Sequence, residues 1–253
     1  MAQRQPSASS ESTILFWLRG PKKKERDLER LGNITEQIQA YFEAKNATRE
    51  QALTRSRELT RCCALAIRAL HRAEYNKAAD LLATAKAAAQ RMSSDLRDHP
   101  DLYYSGYTQD ALKEFAEATI TWALLTDAPL PTPDELDVPP ATYLNGLGEA
   151  MGEVRRYVLD VIRRGEIDRC EAMLQVMEEV YSTLVTIDYP DVITGGLRRT
   201  TDMVRGVLER TRGDLTMAAR QEALRSALRD FESTLRQAEY PLEKEPAAGA
   251  DNG

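Results

Sequence analysis

The chain has 253 residues, 42% of them apolar and 29% charged, with a formal net charge of −6, the balance of a water-soluble globular protein with a substantial core. No apolar run approaches the roughly 18 residues of a membrane-spanning helix, and residues 14–18 have neither the length nor the flanks of a signal peptide. No membrane partner is therefore expected, the expected location is cytoplasmic, and the acidic balance argues against indiscriminate polyanion binding.

Residues 1–24, rich in Ser, Gln and Lys and closing on Lys22, Lys23 and Lys24, read as a poorly ordered leader. From Glu25 the apolar spacing through Ile34, Ile38, Tyr41 and Phe42 is helical, with a stop and restart expected at Asn46 and Thr48. In the next helix, about Thr48 to Arg72, the residues Arg57, Arg61, Arg68 and Arg72 fall within an arc of about 60° at 100° per residue. Leu59, Cys63, Ala66 and Leu70 lie on the opposite side and form the expected core face. The stripe suits a phosphate track, because guanidinium groups bind phosphate bidentately; the alternative is a salt-bridge face with Glu58 and its neighbours. His71 is read as structural. Cys62, Cys63 and Cys170 show no metal-ligand spacing and read as buried free thiols.

An alanine-rich helix from about Glu74 to Arg97 should pack closely and end at His99-Pro100. Tyr103, Tyr104 and Tyr107 then cluster, either to pack or to stack bases. The following helix carries Glu114 and Glu117, three apart. A proline-rich break, residues 127–140, separates it from a helix carrying Glu149 and Glu153, four apart, which ends at Gly165. Each pair shares one helix face, where like charges repel by a few tenths of a kcal/mol. A divalent cation would recover that cost; the alternative is two solvated faces. Further helices are expected at about Ile167 to Thr186, Gly196 to Arg212 and Leu215 to Leu235, the last two joined at Gly213-Asp214 with Asp214 as N-cap. No alternating β-branched run suggests a sheet, so the architecture is all-α. One helical domain, residues 25–238, is expected between the leader and a disordered tail, residues 239–253.

Several segments together resemble the translin superfamily, in particular its Trax branch and archaeal translin-like proteins. They are Ala-Ile-Arg-Ala-Leu-His-Arg72, Lys-Glu-Phe-Ala-Glu-Ala118, Tyr-Leu-Asn-Gly-Leu-Gly-Glu-Ala-Met-Gly-Glu153, Arg-Arg-Gly-Glu-Ile-Asp168 and Gly-Leu-Arg-Arg199. The resemblance covers about residues 34–235, and the Glu-x-x-Glu pair sides with Trax rather than translin. It implies a bundle of about seven helices that assembles into a closed, octamer-like homo-oligomeric shell. It also implies Mg²⁺-dependent endoribonuclease activity on single-stranded RNA, with single-stranded DNA as a second ligand. The family's acidic site falls on Glu114, Glu117, Glu149 and Glu153, all four as metal ligands and catalytic groups. At Glu149 the Trax proteins carry an aspartate, one methylene shorter. Oxygen-only ligation favours Mg²⁺ or Mn²⁺ over Zn²⁺.

Two alternatives compete. One is a non-catalytic RNA- or DNA-binding shell. The other is a MazG-like all-α nucleoside triphosphate pyrophosphohydrolase, whose second acidic pair is normally three apart. A ferritin-like di-iron site needs Glu-x-x-His motifs, and neither His71 nor His99 has Glu three positions earlier.

Overall fold

The computed structural model describes residues 21–166 and 168–239, so the expected leader up to residue 20 and the tail from residue 240 lie outside the described residues. Among the described residues there is no strand. Within them nine helices follow one another: α1 (Pro21–His71), α2 (Tyr75–Asp95), α3 (Pro100–Tyr103), α4 (Gly106–Leu125), α5 (Pro133–Leu136), α6 (Pro140–Arg164), α7 (Asp168–Val185), α8 (Asp191–Thr194) and α9 (Leu197–Glu239). Three of these are four-residue turns, which leaves six long helices where about seven were expected.

Both fusions have local causes. The expected break at Asn46 and Thr48 is absent, because the Thr48 hydroxyl donates to the Ala44 carbonyl inside the helix instead of capping a new one. The expected joint at Gly213-Asp214 is absent as well. Arg155 of α6 donates to the Thr211 hydroxyl and to the Asp214 carboxylate, so Asp214 is tied sideways to a neighbour and α9 runs on through Gly213. One glycine costs a helix interior only about 1 kcal/mol relative to alanine.

The chain divides into two compact units, residues 1–54 and 55–253. In the first, the described residues belong to α1, where Leu28, Leu31, Ile34, Ile38, Tyr41 and Phe42 are exposed within an arc of about 140°. The second unit is a helical bundle centred on α6, which packs against α4, α7 and α9, while α2 packs on α4. Its core includes Leu59, Leu112, Phe115, Ile120, Met151, Val154, Met177 and Leu197, all essentially inaccessible.

Two glycines of α6 set how near its neighbours come. A Cβ on Gly146 would lie 2.9 Å from both the Ala116 Cβ and the Lys113 carbonyl oxygen of α4. A Cβ on Gly148 would lie 2.3 Å from Thr200 Cγ2 of α9. Asn145, immediately before Gly146, donates to the Thr194 carbonyl and accepts from the Thr200 hydroxyl, which fixes α6 against the α8–α9 corner. The 127–140 connection opens on Asp127, a left-handed residue. Its middle is organised by α5, with a Thr132–Glu135 capping box. Gly165, at φ 81°, closes α6 as expected.

Candidate metal centre and nucleic-acid surface

Close approach of α4 and α6 at Gly146 brings their acidic faces together. Glu114, Glu117 and Glu149 each place a carboxylate oxygen within 4.8 Å of the others, all three side chains partly buried. Desolvation raises the Glu117 carboxyl from 4.5 to about 8, helped by the charges of Glu114, Glu149 and Glu153. Burial likewise pushes Glu114 up, with the Glu149 charge next in importance. A trio of carboxylates within ligand distance, without sulfur or nitrogen among the donors, is chemistry that fits Mg²⁺ or Mn²⁺.

Glu153, one turn along α6, stands apart from the trio. His71 Nε2 donates to its Oε2 at 2.5 Å, and Arg156 approaches the same oxygen at 3.6 Å. The His71 bond, despite desolvation, holds the Glu153 carboxyl below its usual range. His71 is thus a partner of the acidic face as well as a core residue; its Nδ1 is buried without a hydrogen-bond partner.

Lys113 is a second group the sequence reading missed. Its Nζ donates to Glu149 Oε1 at 2.8 Å, linking α4 to α6. Desolvation works against the ammonium, but the Glu149 bond and charge, with Asp110 and Glu114, outweigh it and leave the Lys113 pKa raised. Neither contact had a local sequence signal, since Lys113 and Glu149 are 36 residues apart and His71 and Glu153 are 82 apart.

Beside the acidic face lies an open cleft of about 1030 Å³, with Glu149 and Lys113 on one wall and Tyr104, Asn145, Ile193 and Arg199 among the rest. Tyr103 and Tyr104 pack edge-to-face at 5.0 Å, and Tyr104 remains exposed. The expected tyrosine cluster therefore both packs and presents one ring to solvent.

Arg57, Arg61, Arg68 and Arg72 are all exposed, opposite the buried Leu59, Cys63, Ala66 and Leu70. Arg72 pairs with Glu74 at 2.5 Å; among the described residues the other three form no ion pair, Glu58 included. Cys63 faces the other way: burial and then the Glu114 charge push its thiol up. The stripe and the acidic trio therefore occupy opposite sides of α1. Of the three cysteines, Cys63 and Cys170 are buried as expected, whereas Cys62 is only partly so because it sits at the edge of the core face.

No family model matches the sequence. An uncharacterized protein of Methanocaldococcus jannaschii is 32% identical over 199 residues, which span 78% of this chain and 88% of that protein. Among solved structures, the duplex RNA complex of AfC3PO superposes with a TM-score of 0.68 at 31% identity over 73% of this chain and 96% of that one. The crystal structure of AfC3PO gives 0.68 at 30% identity with the same coverage. Apo-NeC3PO gives 0.66 at 22% identity over 74% of this chain and 96% of that one, a likeness of fold alone. These C3PO structures are translin/Trax complexes, and with AfC3PO at 31% identity over 96% of its length and an all-α fold the chain belongs to the translin superfamily.

Proposed function

We propose that the protein is a Mg²⁺-dependent endoribonuclease acting on single-stranded RNA, with Glu114, Glu117 and Glu149 as the metal ligands and Glu153 completing the acidic set. The observation that carries this reading is the crowding of three carboxylates within 4.8 Å of one another, in surroundings that raise Glu117 to about 8. Such a group is poorly tolerated as three bare anions and is relieved by a hard cation. When bound, Mg²⁺, or Mn²⁺ in its place, supplies a Lewis acid for the phosphodiester and lowers the pKa of the attacking water. Other charged and aromatic groups of the chain do the rest. Arg199 lends positive charge to the cleft, Tyr104 offers a ring on which a base can stack, and the α1 arginines bind backbone phosphates without reading sequence.

AfC3PO, 31% identical, has been solved with duplex RNA, which supports RNA as the ligand class; single-stranded DNA is the second candidate. Self-association into a closed, octamer-like shell in the cytoplasm is part of the same proposal. It is supported by the apolar stripe on α1 and by Met217, Leu224, Leu228, Phe231 and Leu235 of α9, all exposed within about 60° at coiled-coil-like spacing.

A second reading, a non-catalytic nucleic-acid-binding shell, is favoured by one observation: Glu149 and Glu153 are already bonded to Lys113 and His71. Labelled single-stranded RNA, and a duplex of the same sequence, incubated with Mg²⁺ or EDTA separates the two. Cleavage of the single strand that EDTA and Glu153→Ala abolish is expected. Binding without cutting under Mg²⁺ would select the shell.

A further inference from the structure

Lys113 belongs to two places at once. Its ammonium sits 2.8 Å from Glu149 Oε1, and Glu149 is one of the three carboxylates that converge within 4.8 Å. Its side chain also lines the 1030 Å³ cleft, on whose walls Arg199 stands as the other basic residue. Of the other anions that act on the ammonium, Glu114 belongs to the trio itself, and Asp110 is 3.9 Å away and 75% exposed, too solvated to hold it firmly.

A cation gathered by Glu114, Glu117 and Glu149 must use the carboxyl group that Lys113 now occupies, and two positive charges at bonding distance from one carboxylate oppose each other. A lysine can resolve that conflict, because its charge is a compact point on a flexible four-carbon stem and open space adjoins it on the cleft side. Resting on the divalent-cation reading above, we propose that Lys113 is an exchangeable counter-ion. It holds Glu149 while the site is metal-free, yields to the divalent cation, and then turns into the cleft to meet a phosphate of the bound nucleic acid. Metal loading would thereby switch on a phosphate contact that the metal-free protein lacks, which makes Lys113 specific for a metal-loaded, polyanionic complex.

The test uses the full chain, with calorimetric Mn²⁺ titration of the parent, Lys113→Met, Lys113→Gln, Lys113→Arg and Glu117→Gln. Loss of the competing charge should tighten Mn²⁺ binding about tenfold in both Lys113→Met and Lys113→Gln, the second variant serving if the first does not fold. Lys113→Arg should stay near the parent. In parallel, a nuclease-resistant 2′-O-methyl RNA oligomer is bound with Mn²⁺ and with EDTA. Lys113→Gln should weaken binding several-fold with Mn²⁺ and leave it unchanged in EDTA. Mn²⁺ affinity that is unchanged or weaker in both neutral variants overturns the exchange while leaving the metal site standing. Equal loss of oligomer binding with and without metal, or no loss in either, also overturns it. If the parent shows no Mn²⁺ binding that Glu117→Gln removes, the metal reading fails and this proposal fails with it.

Discussion

The acidic junction and the arginine stripe are each a set of four like charges, yet the fold treats them in opposite ways. The carboxylates come from two helices pressed together at Gly146; two are bonded to Lys113 and His71 and two have raised pKa values. The guanidinium groups are strung along about 22 Å of one helix, at 1.5 Å per residue, exposed to water, and three of the four form no ion pair among the described residues. Crowded, half-buried charge must be relieved by protonation, pairing or a ligand. Spread, solvated charge needs no partner and is free to act on a polyanion, at strengths that salt controls.

Glu117→Gln separates the two most sharply. It removes one carboxylate from the trio and one charge from the crowd, so under the proposed metal-dependent cleavage the rate should fall by about a hundredfold or more, the scale for lost electrostatic stabilisation of a transition state. The metal-free protein should become more stable, and RNA affinity in EDTA should barely change. A single-turnover cleavage assay, a melting curve in EDTA and an anisotropy titration read these three. A variant that cuts as well as the parent would move the chemistry elsewhere.

The pH dependence of stability is next. Glu117 binds its proton more tightly folded, at about 8, than at its ordinary 4.5. Its favourable contribution is therefore complete below pH 4.5 and is lost as pH rises through about 8. Glu114, also raised, acts in the same sense, and Glu153, lowered by His71, acts oppositely and only at acid pH. In EDTA the melting temperature should decline by several degrees, on the scale of about 2–4 °C per kcal/mol for a domain of this size, between pH 5 and 8. Mg²⁺ or Glu117→Gln should flatten that decline, and a flat profile in the metal-free parent would contradict the crowding.

The smallest effect belongs to the stripe. Arg61→Ala with Arg68→Ala should weaken single-stranded RNA binding by about tenfold at moderate salt and reduce the salt slope by about 1.4, near 0.7 per lost phosphate contact on a single strand. The melting curve should stay unchanged. A double variant that binds normally but unfolds earlier would assign the arginines to folding or assembly.

Much of this was legible in the sequence, for reasons visible residue by residue. Helical spacing located both carboxylate pairs, the buried face of α1 and the Gly165 stop, because periodicity and left-handed glycine are local signals. The two helix joints were misplaced because Thr48 and Asp214 carry capping chemistry that the fold spends differently, inside the helix at Ala44 and sideways on Arg155. The partners Lys113 and His71 were unreadable, since which side chain meets which carboxylate depends on how α1, α4 and α6 pack. Glu153 shared its helix face with Glu149, yet only packing could reveal that His71 claims it.

The capping box of α5 bears on how the molecule reaches its native state. Thr132 and Glu135 satisfy each other's orphan backbone groups within the connection, so the segment between α4 and α6 has a local conformational preference rather than the entropy of a free coil. The closure cost of bringing α4 onto α6 is correspondingly lower. The acidic pair of helices, close in sequence, belongs among the contacts that form early. The collapsing chain thus meets its least favourable electrostatics near the start of folding, and a divalent cation present during refolding should accelerate folding as well as slow unfolding.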